Sequence, residues 1–371
     1  MRNRASGFCY VADAVLGIML LAKEGRPRHT ENEDPAAKMR RPRIMYLDLD
    51  LHYGDGVAQA FLSPTHYPSS IPPGKKPPRP PQVLTLSIHH HSPIFFPPHT
   101  AHSGLPSPDS PHPFTLSLPL AAYPSSSTYA RLWGSCVEPI KKAFDPDYIV
   151  LQLGTDGLTG DPIGRYGAWS VDGEGGVVWC VEKVKGWGRP TCVLGGGGYD
   201  HANTARAWAL ATSVLVSDQA TRLADVQVGR PLHPDTAVPD FAGLPEFAPS
   251  FTLEVPHSTS DYASSVPILK PLGNVPDENT DASLSHTEAA FKTLAVRIRS
   301  ILAAYSRQVT SIKYNIKTPA LPVPRTTSKP PVLDLRRPGP SEPARIVERG
   351  RRIHRSATGQ SHWDMSPPTA G

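Results

Sequence analysis

Short apolar runs and longer helical patterns alternate along the first 216 residues. The strand-like runs are Ile44–Leu51, Val83–Ile88, Phe114–Leu118, Tyr148–Leu153 and Pro190–Leu194. The helical patterns are 10–23, Gly54–Phe61, Thr128–Phe144, Val177–Trp187 and Asn203–Val216, with a last helix predicted over His286–Tyr305. Strands that alternate with helices indicate an α/β fold, in which a mostly parallel sheet carries helices on both faces in three layers.

The first helix, residues 10–23, is apolar on most sides, which predicts burial between two layers. Because Arg2 and Arg4 precede the apolar run Val11–Ala22, the segment also resembles a signal peptide. Asp13 inside the run, with no small-residue cleavage site after it, favours the buried helix. No apolar run reaches the ~18 residues of a membrane span, so no membrane partner is predicted.

Composition separates a neutral body from a basic tail. Lys and Arg number 38 against 33 Asp and Glu, and residues 321–371, with nine basic and four acidic residues, carry the whole excess of +5. The neutral body gives no sign of direct DNA binding. Proline-rich stretches predict a surface loop insertion at 64–81 and a disordered tail at 318–371, which leaves 1–317 as one domain. The four cysteines form no C-x-x-C pair and are predicted to be buried thiols of a reducing compartment.

The candidate chemistry begins with Asp48, Asp50 and His52. On a strand these three side chains share one face. Two carboxylates and an imidazole at a strand end favour a metal site over a plain hydrogen-bond network, which remains the alternative. Asp156 follows the strand Tyr148–Leu153, and ligands of parallel sheets bind at the carboxyl ends of strands. Asp50, His52 and Asp156 would leave a position open for water and substrate, which is typical of catalytic zinc, although iron and manganese also suit the donors.

Four glycines, Gly195 to Gly198, precede Tyr199. No phosphate-binding motif surrounds them, so close approach of the backbone to a ligand is the better interpretation than a phosphate cradle. A tyrosine hydroxyl beside a metal can stabilise an oxyanion. The alternative is an ordinary core aromatic.

Six motifs together resemble class I histone deacetylases over residues 4 to about 305. They are Ala5-Ser-Gly-Phe-Cys-Tyr10, Asp48-x-Asp-x-His-x-Gly-Asp-Gly56, Phe95-Phe-Pro97, Gln152-x-Gly-x-Asp156, Gly160-Asp-Pro162 and Gly195-Gly-Gly-Gly-Tyr199. Asp277-Glu-Asn-Thr280, ahead of the last helix, also fits. The resemblance implies an arginase/deacetylase-like fold and zinc-dependent hydrolysis of acetyl-lysine amides.

The resemblance also implies residue roles. Zinc would be held by Asp50, His52 and Asp156, and Tyr199 would polarise the acetyl carbonyl. Asp55 would orient a catalytic histidine. The remaining roles are a lysine tunnel formed by Gly7, Phe8, Phe96, Gly197 and the rim residue Ile163, and a structural K⁺ site that includes Asp48 and Ser87 beside two of the zinc ligands.

Some positions depart from the family pattern. The family has a His-His general acid and base pair shortly before the first motif, where this sequence has Met1–Arg4. We therefore expect an incomplete gene model that lacks the first elements of the fold, with an in-frame His-His encoded upstream and an unpaired sheet edge in this chain. Tyr53 stands where the family often has a histidine, a position that need not touch metal. Pro98–His102 replaces the family's Gly-Thr-Gly after Phe95-Phe-Pro97, so the family does not predict the shape of this tunnel loop. His89–His91 invites a second metal site, although alternation along a strand favours a surface or supporting role.

The functional expectation is deacetylation of acetylated histone tails or other acetyl-lysine proteins, which would regulate transcription in the nucleus, with the cytoplasm as a second location. Corepressor subunits are further candidate partners. The basic cluster Arg349–Arg352 would suit nuclear import or a nucleic-acid contact, but a solvated tail is the plainer interpretation. Two alternatives stay open: a deacetylase of small acetylated amines, and a catalytically impaired acyl-lysine binder or scaffold.

Overall fold

Strands and helices follow one another in the order that the sequence predicts. The strands are β1 (Ile44–Asp48), β2 (Val83–His90), β3 (Thr115–Leu120), β4 (Tyr148–Leu153) and β5 (Thr191–Gly195). The helices are α1 (Asp13–Glu24), α2 (Asp55–Phe61), α3 (Ser126–Leu132), α4 (Glu138–Phe144), α5 (Val177–Gly186), α6 (His201–Val216) and α7 (Asp281–Tyr314). The structure, a computed structural model, describes residues 7–28, 41–62, 82–98, 102–110, 113–217, 232–238, 247, 251–255 and 275–314. The proposed insertion 64–81 and tail 318–371 lie outside these residues, so those boundaries stay predictions.

All five strands are parallel, in the order β3-β2-β1-β4-β5. Asp48 pairs with Gln152 of β4, and Leu153 of β4 pairs with Gly195 of β5, so the carboxyl ends of three neighbouring strands are aligned. The α/β fold class is confirmed. β5 is an edge strand whose residues are half-buried or exposed, whereas every residue of β1 is buried.

Alternate residues of β1 belong to two separate hydrophobic clusters. Met45 and Leu47 pack into the larger cluster, to which α3 to α7 contribute. Ile44 and Tyr46 pack into a smaller cluster with Ala14 and Ile18 of α1. Since neighbouring side chains on a strand point to opposite faces, helices cover both sides of the sheet. None of the described helices is long and apolar enough to cross a bilayer.

The first helix corrects one expectation. Of its residues only Ala14 and Ile18 are buried, while Leu16, Met19 and Leu20 are each more than half exposed. The prediction of a helix sandwiched between two layers is therefore wrong for the described part of the chain. Its apolar composition exceeds what one contact face against the sheet can bury.

The two long predicted helices differ in detail from the sequence expectation. A π-helical turn, Trp133–Val137, joins α3 to α4 within the predicted helix Thr128–Phe144. Pro139 follows it, and proline lacks the N–H that an α-helical interior requires. The last helix begins at Asp281 instead of His286 because Thr280 caps it, its Oγ1 accepting the Ser283 N–H at 3.2 Å.

Candidate active site

The segment after β1 is held as a turn by its own carboxylates. Asp48 Oδ1 accepts the N–H of Asp50 at 3.1 Å, and Asp50 Oδ1 accepts the N–H of His52 at 2.9 Å. Each side chain thus bonds the backbone two residues on, as in an Asx turn. Only Asp48 lies within the strand, so the expectation that three residues share one strand face is wrong in its geometry. The turn delivers Asp50 and His52 to the sheet edge instead.

Asp156 joins this turn from the end of β4. Its Oδ1 accepts the Leu51 N–H at 2.8 Å, and its Oδ2 lies 2.6 Å from Nδ1 of His52. That same Nδ1 lies 3.3 Å from Oδ1 of Asp50. The structure therefore brings together Asp50, His52 and Asp156, which lie up to 106 positions apart in the chain.

The three residues suit a divalent metal ion. Each offers one ligand atom, and these atoms all lie within 4.8 Å of one another. Burial, and then the Asp50 carboxylate, raise the pKa of Asp156, because two negative charges share a dry site. Burial disfavours a charged imidazole, but Asp156 and Asp50 outweigh it and raise the pKa of His52 to about 10. The O, N and O donor set within this distance fits zinc.

The glycine loop after β5 lies directly on the two carboxylates. Gly197 donates its N–H to Asp50 Oδ2 at 2.6 Å, and a Cβ at Gly197 would lie 2.1 Å from Asp156 Oδ2. A Cβ at Gly196 would lie 2.8 Å from Asp50 Oδ2. Contact with carboxylates is the wrong electrostatic environment for a phosphate, so the geometry supports close backbone approach over a phosphate cradle.

Tyr199 follows this loop and faces the three candidate metal ligands Asp50, His52 and Asp156, called the metal cluster below. Its ring meets His52 edge-on, with centroids 6.5 Å apart. Burial, followed by the charges of Asp156 and Asp50, raises the pKa of the Tyr199 phenol. The hydroxyl consequently stays protonated and able to donate a hydrogen bond at neutral pH.

Exposed aromatic residues border the cluster. Phe8 lies 5.7 Å from the Tyr199 ring, and Phe96 lies 6.3 Å from the His52 ring, measured between centroids. Gly7 abuts Phe96, since a Cβ there would come within 2.3 Å of Cε1. Phe8 is 67% exposed and Phe96 is 44% exposed, which leaves apolar surface available for a ligand. Ile163, also partly exposed, lies two residues beyond Asp161 in the loop that follows Asp156.

A second buried polar group lies next to the metal cluster. Asp48 accepts a hydrogen bond from the hydroxyl of Tyr46 at 2.9 Å, and a Cβ at Gly54 would come within 2.2 Å of Asp48 Oδ2. Ser87 accepts the Gly54 N–H at 3.4 Å from the neighbouring strand. Asp55 follows Gly54 as the first residue of α2 and is half-buried. The roles expected of Asp48, Ser87 and Asp55 stay predictions.

The histidine run at the end of β2 differs from the surface interpretation. His89 is fully buried, its Nε2 3.0 Å from the Ser103 carbonyl oxygen, and its ring packs on Tyr53 with centroids 4.6 Å apart. His90 is also buried and stacks on Tyr166. A surface position is therefore wrong for both residues, which are packed core imidazoles, while the supporting role stays a prediction: His90 packs on Phe95, which stacks on His52. The cysteine expectation is likewise only half right, because Cys136 and Cys180 are buried but Cys9 and Cys192 are exposed.

Two residues that touch the site lie in the motifs Phe95-Phe-Pro97 and Gly160-Asp-Pro162, but the sequence indicated no role for either. Phe95 is buried and stacks on the His52 ring, with centroids 4.6 Å apart and planes 13° from parallel. Asp161, also buried, accepts the N–H of Tyr199 at 2.7 Å. Phe95 was visible only as part of a family motif, and the contact of Asp161 spans 38 residues, which no periodicity reveals.

The parallel sheet, the Asp-His-Asp cluster at its carboxyl edge and the adjoining tyrosine define an α/β protein with a candidate catalytic metal centre. Comparison with known protein families identifies the group. The histone deacetylase domain matches residues 1–215, more than half of the chain. The chain belongs to the histone deacetylase family.

Curated relatives agree with this assignment. Histone deacetylase 8 of Danio rerio is 31% identical over 256 residues, which are 68% of this chain and 54% of that protein. Histone deacetylase 8 of Xenopus laevis is 30% identical over 254 residues, covering 68% of this chain and 62% of the relative. Histone deacetylase 9 of Arabidopsis thaliana is 29% identical over 270 residues, 71% of this chain and 51% of the relative. The matched part thus spans between about half and three fifths of these relatives' lengths.

Proposed function

We propose that this chain carries the metal centre of a zinc-dependent protein-lysine deacetylase of the class I type. The observation that carries the proposal is the convergence of Asp50, His52 and Asp156 within 4.8 Å, with the Tyr199 ring beside His52. The reaction is hydrolysis of an amide: water adds to the acetyl carbonyl, the C–N bond breaks, and acetate and a free lysine amine are released.

Asp50, His52 and Asp156 would hold the zinc ion. The chemistry that zinc supplies when bound is Lewis-acid activation of the acetyl carbonyl and of the attacking water. Tyr199 contributes a hydrogen bond from its hydroxyl to the carbonyl oxygen as negative charge develops there. Removing one such donor typically costs ~10²–10³-fold in rate.

The aromatic border would bind the substrate's aliphatic part. A lysine side chain presents four methylenes, and Phe8 and Phe96 offer exposed rings on which they can be buried. Each methylene removed from water is worth ~0.8 kcal/mol. Gly7 and Gly197 keep the walls free of side chains, and Ile163 would contact the substrate near the entrance.

A structural monovalent cation, K⁺ by family resemblance, would lie beside the zinc centre with Asp48 and Ser87 among its ligands. Asp48 supports this proposal because it is a buried carboxylate: burial raises its pKa well above the ordinary range, as does the neighbouring Asp50. A cation would offset that cost. Asp55 begins α2, and Val57 in the same helix packs into the smaller hydrophobic cluster on the sheet. From this position Asp55 would orient a histidine of the general acid and base pair.

The proposed substrates are acetylated histone tails and other acetyl-lysine proteins, with a role in transcription repression in the nucleus. Corepressor subunits remain proposed partners. The family and the names of the relatives support deacetylation of histones, and the nuclear role and corepressor partners are inferred from the family resemblance.

A second candidate function is binding of acyl-lysine without turnover. The observation that favours it is the exposed apolar surface of Phe8 and Phe96 beside Tyr199 and His52, which can bind an acyl-lysine whether or not the amide is hydrolysed. Deacetylation of small acetylated amines is the alternative substrate class.

Turnover of an acetyl-lysine peptide by the zinc-loaded protein tests the proposal. We expect release of acetate, loss of that activity in Asp156→Asn, and much slower turnover of an acetylated polyamine. Zinc and peptide binding with no acetate release would instead support the binder, and preference for the polyamine would support the small-amine enzyme. Absence of zinc binding would refute both deacetylase proposals.

A further inference from the structure

Asp161 ties together the two loops that flank the metal centre. Its Oδ1 accepts the N–H groups of Ile163 at 2.9 Å and Gly164 at 2.6 Å, within its own loop. Its Oδ2 accepts the N–H of Tyr199 at 2.7 Å, from the glycine loop. The side chain is buried, with 5% exposure. One carboxylate therefore accepts hydrogen bonds both from the loop 161–164, called the entrance loop below, and from Tyr199, the residue proposed to polarise the carbonyl.

The backbone before Tyr199 is held at Gly197, whose N–H donates to Asp50 and whose carbonyl oxygen accepts the Thr155 N–H at 2.7 Å, and Asp161 holds it again at Tyr199 itself. Gly198 has φ of +143°, a conformation that L-residues rarely adopt, and glycines contribute no side chains that could lock the loop by packing. After Tyr199 the chain enters α6, where Asp200 Oδ1 accepts the Asn203 N–H at 3.0 Å as an N-cap. Tyr199 thus lies between the glycine loop and a capped helix, and its own N–H donates to Asp161.

The location of Asp161 couples it to the metal ligands without making it one. A Cβ at Gly164 would overlap the backbone carbonyl oxygen of Asp156, so the Asp161 loop lies against the chain that carries this ligand. The Asp161 carboxylate itself accepts only backbone N–H groups in the contacts given above, and the backbone N–H of Asp200 donates a further hydrogen bond to it. This arrangement orients neighbouring groups and leaves Asp161 with no direct role in chemistry.

We propose that Asp161 is a positioning residue, which sets the direction of the Tyr199 side chain by anchoring the Tyr199 backbone to the entrance loop. The inference rests on the proposed deacetylase function for its catalytic consequence. Asp161→Asn separates charge from shape: an amide offers one acceptor oxygen, and its NH₂ group would face at least one backbone N–H. Either the Tyr199 anchor or the entrance-loop anchor is then lost.

Amide hydrogen exchange tests the anchor without any activity. In Asp161→Asn we expect the N–H of Tyr199, or those of Ile163 and Gly164, to exchange at least ~10-fold faster than in the native protein. Asp147→Asn is the matched control, because Asp147 is equally buried and also accepts two backbone N–H groups, those of Arg28 at 2.8 Å and Arg43 at 2.7 Å. It lies before β4, at the opposite edge of the sheet from the site. Unchanged exchange of the Tyr199 N–H in both Asp161→Asn and Asp161→Ala, the second of which removes both acceptor oxygens, would overturn the proposal.

Kinetics of the zinc-loaded protein test the consequence. Asp161→Asn should lower kcat by ~10–100-fold with KM within ~3-fold of native, whereas Asp147→Asn should leave both unchanged. In the Tyr199→Phe background, Asp161→Asn should cost little more, since the residue acts through the tyrosine hydroxyl. Losses that multiply in the double variant would overturn the proposal.

A further variant guards against misfolding. If Asp161→Asn does not give a cooperative thermal melt, Asp161→Glu retains the charge and moves the carboxylate by one methylene, and the same non-additivity with Tyr199→Phe is expected. If native protein turns over no peptide, the deacetylase function fails, while the exchange experiment still decides whether Asp161 anchors Tyr199.

Discussion

Gly197→Ala should weaken zinc binding although Gly197 offers no ligand. The new Cβ would lie 2.1 Å from Oδ2 of Asp156, whereas ordinary van der Waals contact begins near 3.4 Å. The carboxylate or the loop must therefore move by about 1.3 Å, and ligand positions in metal sites tolerate only ~0.2 Å. The loop cannot retreat freely, because Gly197 is bonded to Asp50 at 2.6 Å and to the Thr155 N–H at 2.7 Å.

The expected loss is ~10–100-fold in zinc affinity, the range typical of changes in groups that orient metal ligands. This corresponds to ~1.4–2.7 kcal/mol. Competition with a chromogenic chelator at fixed pH would give the dissociation constant, with circular dichroism to confirm the fold.

Gly17→Ala supplies the control for the same chemical change. Gly17 lies in the middle of α1, and a Cβ there meets no atom within 4 Å. Zinc affinity should stay at the native value, and the free energy of unfolding should rise by ~0.5–1 kcal/mol because alanine is the better helix former. A folded Gly197→Ala protein with zinc affinity within twofold of native would show that the loop can move without its carboxylates, and the reasoning would be wrong.

Three further outcomes follow from the structure. Tyr199→Phe should reduce kcat by ~10²–10³-fold while zinc affinity stays constant, since the hydroxyl is not a ligand; equal losses in both quantities would contradict its role. Trp169→Ala should lower the free energy of unfolding by ~3–5 kcal/mol in urea, because this fully buried ring stacks on Tyr129 at 4.4 Å, and a loss below ~1 kcal/mol would contradict that packing. Burial lowers the pKa of His89 to about 4. Between pH 6.5 and about 4 the folded state then binds fewer protons than the unfolded chain, so the contribution of His89 to stability is lost as the pH falls. The difference in the free energy of unfolding between native protein and His89→Gln, measured by urea titration, should therefore shrink by roughly 3 kcal/mol over that range. A difference independent of pH would show that His89 is not the group responsible.

Sequence patterns predicted the sheet well because burial imposes regular periods. β4 is apolar along almost its whole length, as a strand covered by helices on both faces must be, and its observed bounds match the prediction. The same logic failed for α1. Its composition shows that apolar residues are abundant, but whether one or two faces are covered depends on neighbours that periodicity does not describe.

The candidate site shows the same division. Strand ends with acidic residues indicated Asp50, His52 and Asp156, because carboxyl ends of parallel strands lie along one edge. Their actual approach depends on Asx turns and on the Leu51 N–H bonding to Asp156, contacts that join distant segments.

By itself, the sequence determined the order of strands and helices, the family motifs and the donor types of the metal cluster. These are local properties, which depend on the spacing of apolar residues and on the chemistry of single side chains. Only the tertiary structure decided which face of α1 is buried, that His89 is a core residue, and that Asp161 holds Tyr199. Such contacts join residues from different parts of the chain, and burial and hydrogen bonding between them exist only once the chain is folded.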